Sequence, residues 1–433
     1  MRLANKQTSG RSASEEAPLG GMPETAKREG FGMSAKATDR AAWSPQVAIL
    51  TGGGDRPYAL GLAATLISQG VVFDFIASDD LDDPELRRSP MVRFLNFRKD
   101  TRTNVPAARK VLRVLAYYWR LLFYAATTKA RIFHILWNNK FELLDRTLLM
   151  LYYRMLGKRV VLTAHNINAG ERDGTDSFVN RFTLRIQYLL ADHIFVHTEK
   201  MRTKLRTDFG VADIKSSVIP LPVNNTVPNT ALTATEARRR LGLVGSQKVV
   251  LFYGRIAPYK GLEYLLDAFA MLAPGEPDYR LIIAGRPKDC ESYWRAIQQR
   301  LSEPELRSRV IERIEFVPDA DTEIYFKAAD VLALPYVHIF QSGVLSLGYN
   351  FGLPVIASDV GSFGEDIVEG ETGFVCKPRD SGELAKAIET YFCSNLYFEL
   401  SERRCWIQEF ANERFSWSKV GDVTRAVYMK LLA

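Results

Sequence analysis

Two Rossmann-like, doubly wound α/β domains in series, facing each other across a cleft, are what this 433-residue sequence predicts. Three observations carry that prediction. Short runs rich in Val, Ile and Leu alternate with longer segments of helical periodicity. The alternation stops at a stretch rich in proline and asparagine and then restarts. The apolar runs are continuous, as strands of a parallel sheet covered on both faces are. The length suits two domains. Hydrophobic content of 47% with 25% charged residues allows each a sizeable core.

The chain opens with "MRLANKQTSGRSASEEAPLGG", polar and small, without the apolar segment of a secretory signal. Residues 1–43 read as a disordered tail. Residues 44–222 read as the first domain. "QVAILTGGG" is a strand entering a glycine turn; Pro57 suits the first turn of the next helix and Gly70 its end. "VVFDFIAS", "ARIFHILW", "KRVVLTAH" and "DHIFVHT" are further strands. "ARKVLRVLAYYWRLLFYAA", "FELLDRTLLMLYYRML" and "SFVNRFTLRIQYLLA" are helices between them. "SVIPLPVNNTVPNT" marks the end of the pattern, and residues 223–246 read as a linker leading into the second domain. Residues 247–395 repeat the alternation. Their strands are "KVVLFYG", "RLIIAG", "RIEFV", "VLALP", "PVIAS" and "GFVC". Their helices are "LEYLLDAFAML", "YWRAIQQRL", "TEIYFKAA", "GVLSLGYNFG" and "GELAKAIETYF". Residues 396–433 are helical and expected to pack back on the first domain, with Val420, Val423, Val427 and Leu431 on one face. Ligands of such sheets bind outside the carboxyl ends of the strands.

Net charge is +7, which favours an anionic partner such as a nucleotide, a nucleic acid or an acidic membrane surface. The four cysteines, Cys290, Cys376, Cys393 and Cys405, lack metal-type spacing and read as thiols of a reducing compartment. With five histidines, a histidine-rich metal site is not expected. No run of 18 uncharged apolar residues marks a membrane-spanning helix.

"YGRIAPYKG" (253–261) lies between a strand and a helix and holds Arg255 and Lys260 five positions apart. Two cations on one short turn repel each other unless an anion sits between them. A helix N-terminus nearby favours phosphate. A diphosphate site satisfies both conditions; solvated surface cations are the plainer reading. "LTGGGDRPY" offers close backbone approach at Gly53 and Gly54, or simply a turn. His165 in "TAHNI", followed by Asn166, ends a strand on the same side as the expected cleft, and His197 in "HTEK" ends another. A core histidine is the alternative. Asp80 with Asp82, and Asp319 with Asp321, have the spacing of a Mg²⁺ or Mn²⁺ site, but also that of ordinary acidic loops.

"GRIAPYKGLEYLLDAF", "FVPDADTEIYFKAADVLALP" and "GLPVIASDVGSFGEDIVEGETGFVCKP" resemble, in order and spacing, the retaining glycosyltransferases of family 4 (group 1), which have the GT-B fold. "LTGGG", "TAHNI" and "VIPLPVN" resemble that family more loosely. The resemblance implies a nucleotide-sugar donor on the second domain and a saccharide or lipid-linked acceptor on the first, in cytoplasmic polysaccharide or glycoconjugate assembly. It implies that Arg255 and Lys260 neutralise the leaving diphosphate, with no metal or other cofactor. His165 and Asn166 are then placed at the transferred sugar, with His165 positioning it rather than attacking it.

The sequence departs from the family at one motif. The Glu-x7-Glu pair that contacts the donor falls here on Ile339 and Leu347, in "FQSGVLSLG". Gln341 and Ser342 are the nearby polar groups expected to replace it, and Gly343 and Val344 open a helix whose N–H groups can face phosphate. Two other functions share the fold: a nucleotide-sugar epimerase or hydrolase, and a non-catalytic sugar-binding subunit. A last feature stands apart. No acidic residue occurs from 101 to 141, where Arg102, Arg109, Lys110, Arg113, Arg120, Lys129, Arg131 and Lys140 interleave with aromatics. The helix expected at 107–126 reads either as a face for the inner surface of an anionic membrane or as a core helix with a solvated basic side.

Overall fold

In the computed structural model, residues 45–99, 106–139, 141–223, 227–272, 274–288 and 290–433 are described. The expected N-terminal tail lies outside them, as do Arg102 and Lys140.

The first sheet has seven strands: Val47–Leu50 (β1), Phe73–Ala77 (β2), Val92–Asn96 (β3), Ile132–Ile135 (β4), Arg159–Thr163 (β5), His193–Val196 (β6) and Ser216–Val218 (β7). Their order is β3-β2-β1-β4-β5-β6-β7, parallel throughout. The second sheet has six: Lys248–Tyr253 (β8), Tyr279–Ala284 (β9), Val310–Arg313 (β10), Val331–Leu334 (β11), Val355–Ser358 (β12) and Gly373–Cys376 (β13). Their order is β10-β9-β8-β11-β12-β13, also parallel. This is the doubly wound pair that the alternation predicts. The order reverses between β1 and β4, and again between β8 and β11, so each sheet has a crevice at the carboxyl ends of those two strands.

Both faces of the sheets are covered, which is why the strands read as unbroken apolar runs. In β1, Val47 and Ile49 pack on one side with Leu62 and Val420, while Ala48 and Leu50 pack on the other with Leu121 and Met150.

Four segments differ from expectation. β3 and β7 are edge strands that the sequence did not announce. The strand expected at "RIEFV" is Val310–Arg313 instead, paired with Leu281–Ala284, and Glu315, Phe316 and Val317 follow it as a carboxyl-end loop. The C-terminal helices also divide. Helix Leu400–Arg414 packs on the second domain through Ile407 and Ala411. The reason is Arg404, whose guanidinium donates to Phe326, Ala329 and Phe351 carbonyls (3.4, 2.6 and 3.1 Å). These lie at the ends of helices Asp319–Ala328 and Gly343–Asn350, where backbone acceptors have no helical partner. Only Trp417–Leu432 returns to the first domain. There Val420 and Val427 are buried, and Gln69 Nε2 donates to Asp422 Oδ1 at 2.8 Å.

Candidate active site

The turn after β8 is built around Lys260. A short 3₁₀ segment, Pro258–Lys260, ends at Gly261, which holds φ +63°. A Cβ there would stand 2.1 Å from the Pro335 carbonyl oxygen, so glycine is the residue the turn admits. Helix Leu262–Leu272 starts directly after it. The Lys260 side chain is folded inward, 5% exposed, with Nζ 5.0 Å from the centre of the Tyr336 ring. Among the described residues it has no ion pair. Burial lowers its pKa to about 8. Arg255 and Arg172 push the same way, against an opposing contribution from Tyr259. Arg255 is exposed and lines a cavity of about 360 Å³ with Arg286, Lys288, Phe316, Asp319 and Leu347. Arg286 lies over the Phe316 ring at 5.4 Å.

The first domain presents a different wall. His165 and Asn166 follow β5 and line a second cavity, about 630 Å³, with Tyr58, Trp137, Arg172 and Gln341. His165 stacks on Trp137 with centroids 4.2 Å apart and meets the Tyr58 ring edge-on at 4.6 Å. Its protonation follows from its neighbours. Ile219's carbonyl oxygen can only accept, so His197 Nδ1, 3.2 Å away, carries the proton. Burial lowers the His197 pKa to about 4, so its Nε2 is an acceptor at neutral pH. That acceptor takes the Nδ1–H of His165 at 3.1 Å. His165 is thereby left with a lone pair on Nε2, which has no partner. Burial, followed by His197 and His134, keeps His165 well below its ordinary pKa. Asn166 Oδ1 is also without a partner.

Among the described residues, several contacts join the two domains, with Lys204 lying over the Phe340 ring as one of them. Gln341 Nε2 donates to the His165 carbonyl at 3.3 Å, Lys200 Nζ donates to the Gly361 carbonyl at 2.6 Å, and Arg172 lies 4.9 Å over the Tyr259 ring. Asp55, which caps helix Arg56–Ser68, faces Asp319. Burial first, and Asp319 after it, raise the Asp55 pKa.

The structure places His165, Asn166 and Gln341 on the larger cavity and Arg255 on the smaller, with Lys260 buried in the turn beside Arg255, and it changes the roles of others. Ser342 is the N-cap of helix Gly343–Asn350; its Oγ accepts from the Val344 and Leu345 N–H groups at 3.2 and 3.4 Å. Val344 is therefore not a free amide donor, contrary to the expectation from sequence, while Gly343 lines the larger cavity. Gln341 spends its amide NH₂ on His165, and its Oε1 has no partner. Ile339 lines the larger cavity and Leu347 the smaller one, both apolar where the resembling family has carboxylates. The glycines after β1 leave room for the protein itself. A Cβ on Gly53 would strike the Arg98 guanidinium (1.5 Å), and one on Gly54 the Trp137 ring (2.0 Å). Of the acidic pairs, Asp82 is held by Arg87, and Asp319 begins a helix at the smaller cavity. Sequence reasoning missed Arg172, which sits in the charged loop "GERDG" with no distinguishing pattern. It also missed Trp137, whose position after β4, next to the strand-order reversal, was the available signal.

Comparison with known proteins extends this geometry. The sequence model described as Glycosyltransferase Family 4 matches residues 52–226, and the one described as Glycosyl transferases group 1 matches residues 247–393. A D-inositol 3-phosphate glycosyltransferase of Corynebacterium glutamicum is 28% identical over 56% of this chain and 58% of its own length. The matched region spans little more than half the length of such curated relatives. Sucrose-phosphate synthase from Thermosynechococcus elongatus superposes with a TM-score of 0.70 at 20% identity, over 90% of this chain and 99% of that one. Anabaena Alr3699/HepE, solved in complex with UDP, superposes with a TM-score of 0.66 at 19% identity, over 90% and 100%. At these identities the likeness is one of fold, and the fold is GT-B.

Proposed function

We propose that this chain, which belongs to the group 1 and family 4 glycosyltransferases, moves a sugar from a nucleoside diphosphate to a hydroxyl of a saccharide or lipid-linked acceptor, with retention at the anomeric carbon. One observation carries the reading: Lys260 is a buried ammonium without a counter-ion among the described residues, beside Arg255, at the reversal point of the second sheet. A buried, unpaired charge is unfavourable, and an anion delivered to it offsets the cost. The diphosphate of the donor is that anion. The smaller cavity, with Phe316 and the Arg255 and Arg286 guanidinium groups, suits the nucleoside end. The larger cavity suits the sugar and the acceptor.

In the reaction the bond from the anomeric carbon to the diphosphate oxygen breaks. The bond to the acceptor oxygen forms on the same face of the sugar, and the acceptor's proton passes to the departing phosphate oxygen. Lys260 and Arg255 stabilise the charge that develops on the diphosphate, so no metal is required. His165 Nε2 accepts a hydrogen bond from a sugar hydroxyl and holds the ring in place. Gln341 Oε1 serves as the acceptor that Ile339 and Leu347 cannot provide. The setting is polysaccharide or glycoconjugate assembly in the cytoplasm, at the inner face of the membrane. Among the described residues no helix is long and apolar enough to cross it.

The test is a thermal-shift panel of nucleoside diphosphates and their sugars, with and without EDTA, followed by transfer assays with the best donor. Stabilisation by one base family and EDTA-resistant transfer are expected. Activity lost to EDTA and restored by Mn²⁺ would move the charge-stabilising role away from Lys260 and Arg255.

A further inference from the structure

Three neighbouring helical runs cover one face of the first sheet: Ala107–Thr127; residues 142–155; and Phe178–Leu190. Leu121, Met150 and Leu184 anchor them in the same core cluster. Tyr152 Oη donates to the Leu122 carbonyl at 3.1 Å and Arg146 Nη1 to Asn180 Oδ1 at 2.9 Å, so the three lie side by side. Each then shows a second apolar stripe, pointing away from the sheet. On the first run it is Val111, Leu115, Trp119 and Phe123, four residues apart, with Trp119 72% exposed. On the second it is Leu144, Leu148, Leu151 and Met155, with Met155 78% exposed. On the third it is Phe178, Phe182 and Leu189, with Phe178 82% exposed. Large exposed side chains of the second domain, such as Val244, Met271 and Phe398, stand on separate elements. Three aligned stripes on adjacent helices make a contiguous apolar face, which a soluble monomer rarely leaves bare.

The charges around this face select its occupant. From 107 to 190 the acids are Glu142, paired with Arg146; Asp145, buried beneath Tyr118 and Asn139; and Glu171, Asp173 and Asp176, paired with Lys204, Arg172 and Arg181. Arg109, Lys110, Lys129 and Arg185 make no ion pair among the described residues. A second copy of the chain, docked on the same face through a two-fold axis, would set these cations against each other. An anionic surface is attracted to them, while Trp119, Phe123 and Phe178 suit the boundary between headgroups and acyl chains.

We propose that this three-helix face docks the protein on an anionic lipid bilayer. The face is continuous with the cleft, because Asn180 Nδ2 donates to Asn168 Oδ1 at 2.8 Å, three residues beyond His165. It deepens the proposed function by presenting the larger cavity to an acceptor anchored in lipid, and in that respect it rests on that reading. The docking itself is tested without catalysis.

The experiment is flotation of the full chain with phosphatidylcholine vesicles of rising phosphatidylglycerol content, at two salt concentrations. Bound fraction is expected to rise with phosphatidylglycerol and fall with salt. The triple variant Arg109→Glu, Lys110→Glu, Arg185→Glu is expected to lose about a hundredfold in partitioning, since each basic residue near such a surface contributes separately. Trp119→Ser with Leu148→Ser is expected to weaken binding even at low salt. Circular dichroism and nucleoside-diphosphate binding check that each variant is folded, and nucleotide binding that persists without vesicle binding separates this inference from the enzymatic one. Binding that ignores lipid charge, or variants that partition like the unaltered protein, overturns the proposal. So does a vesicle-free dimer that the Trp119→Ser, Leu148→Ser variant dissolves, because the face would then join two copies.

Discussion

The two walls of the cleft are built from the same α/β unit and carry opposite kinds of chemistry. On the second domain, a short turn after β8 holds full positive charge, with Lys260 buried and Arg255 exposed. On the first, the segments after β1, β4, β5 and β6 hold neutral rings: Tyr58, Trp137 and a histidine pair that burial keeps uncharged. Under the proposed function, the difference follows the charge that a glycosyl transfer generates. Negative charge grows on the departing diphosphate, so cations belong there. The sugar becomes electron-poor, and a cation beside it would oppose the reaction. A lone-pair acceptor such as His165 Nε2 does not. The exception sharpens the contrast: Arg172 belongs to the first domain, yet it leans over Tyr259 toward Lys260 and so joins the charged wall.

The strongest way to break the comparison is to remove the charge. Lys260→Ala is expected to lower turnover at saturating donor by about 10²–10³-fold, the usual loss for one preorganised stabilising group. Wild-type turnover in that variant would show that the charged wall is not where the diphosphate leaves. His165→Ala comes next, at roughly 1–3 kcal/mol, or about five- to 150-fold in kcat/KM, the cost of leaving a sugar hydroxyl unpaired. Affinity for the bare nucleoside diphosphate is expected to stay unchanged. Equal losses for sugar nucleotide and bare diphosphate, by calorimetry, would erase the division between the walls.

How much of this was legible in the sequence depends on which force set each element. β1, β2, β4, β5 and β6 could be read because burial on both faces demands continuous apolar runs. β3 could not, because it lies at an edge and Arg93 in it reaches out to Asp74. β7 is three residues long, two of them serine. "VIER" and "IEFV" are equally plausible strands in isolation; pairing with β9 decided for the first. The placement of Lys260, Arg255 and His165 just beyond the carboxyl ends of β8 and β5 was legible because a strand end is a position the sequence reveals. What Gly53 and Gly54 make room for was not legible, because Arg98 and Trp137 are distant in the chain. Arg172 was invisible for the same reason: its partner Tyr259 is on the other domain.

Acidity offers a milder probe of the charged wall. Lys260 titrates near 8 in the free protein, depressed chiefly by burial. As pH rises through that value the ammonium loses its proton and the proposed diphosphate site loses a cation. The kcat/KM profile is therefore expected to fall above about pH 8, by up to about tenfold per pH unit. A bound diphosphate favours the charged ammonium, so the corresponding limb in kcat belongs at higher pH. The limb is expected to be absent in Lys260→Ala. A limb that persists there assigns the titration to another group.

The smallest expected effect separates two residues that the sequence offered as equivalent replacements for the missing carboxylates. Ser342 spends its lone pairs on the Val344 and Leu345 amides, which makes it a helix cap. Ser342→Ala is therefore expected to lower stability by about 1 kcal/mol, as loss of such a cap does. Its effects on sugar nucleotide and bare diphosphate are expected to be equal. Gln341 differs, because its amide bridges to His165 while its Oε1 remains unpartnered. Gln341→Ala is expected to weaken the sugar nucleotide a few-fold more than the bare diphosphate, with little change in melting temperature. Gln341→Glu supplies the carboxylate but removes the bridging NH₂, so it tests which half of the side chain matters. Tighter sugar-nucleotide binding in that variant would point to the acceptor oxygen. Weaker binding of both ligands would point to the bridge that holds the two walls together. If Ser342→Ala instead shows the sugar-selective loss, the cap is secondary and the sugar contact belongs to the hydroxyl.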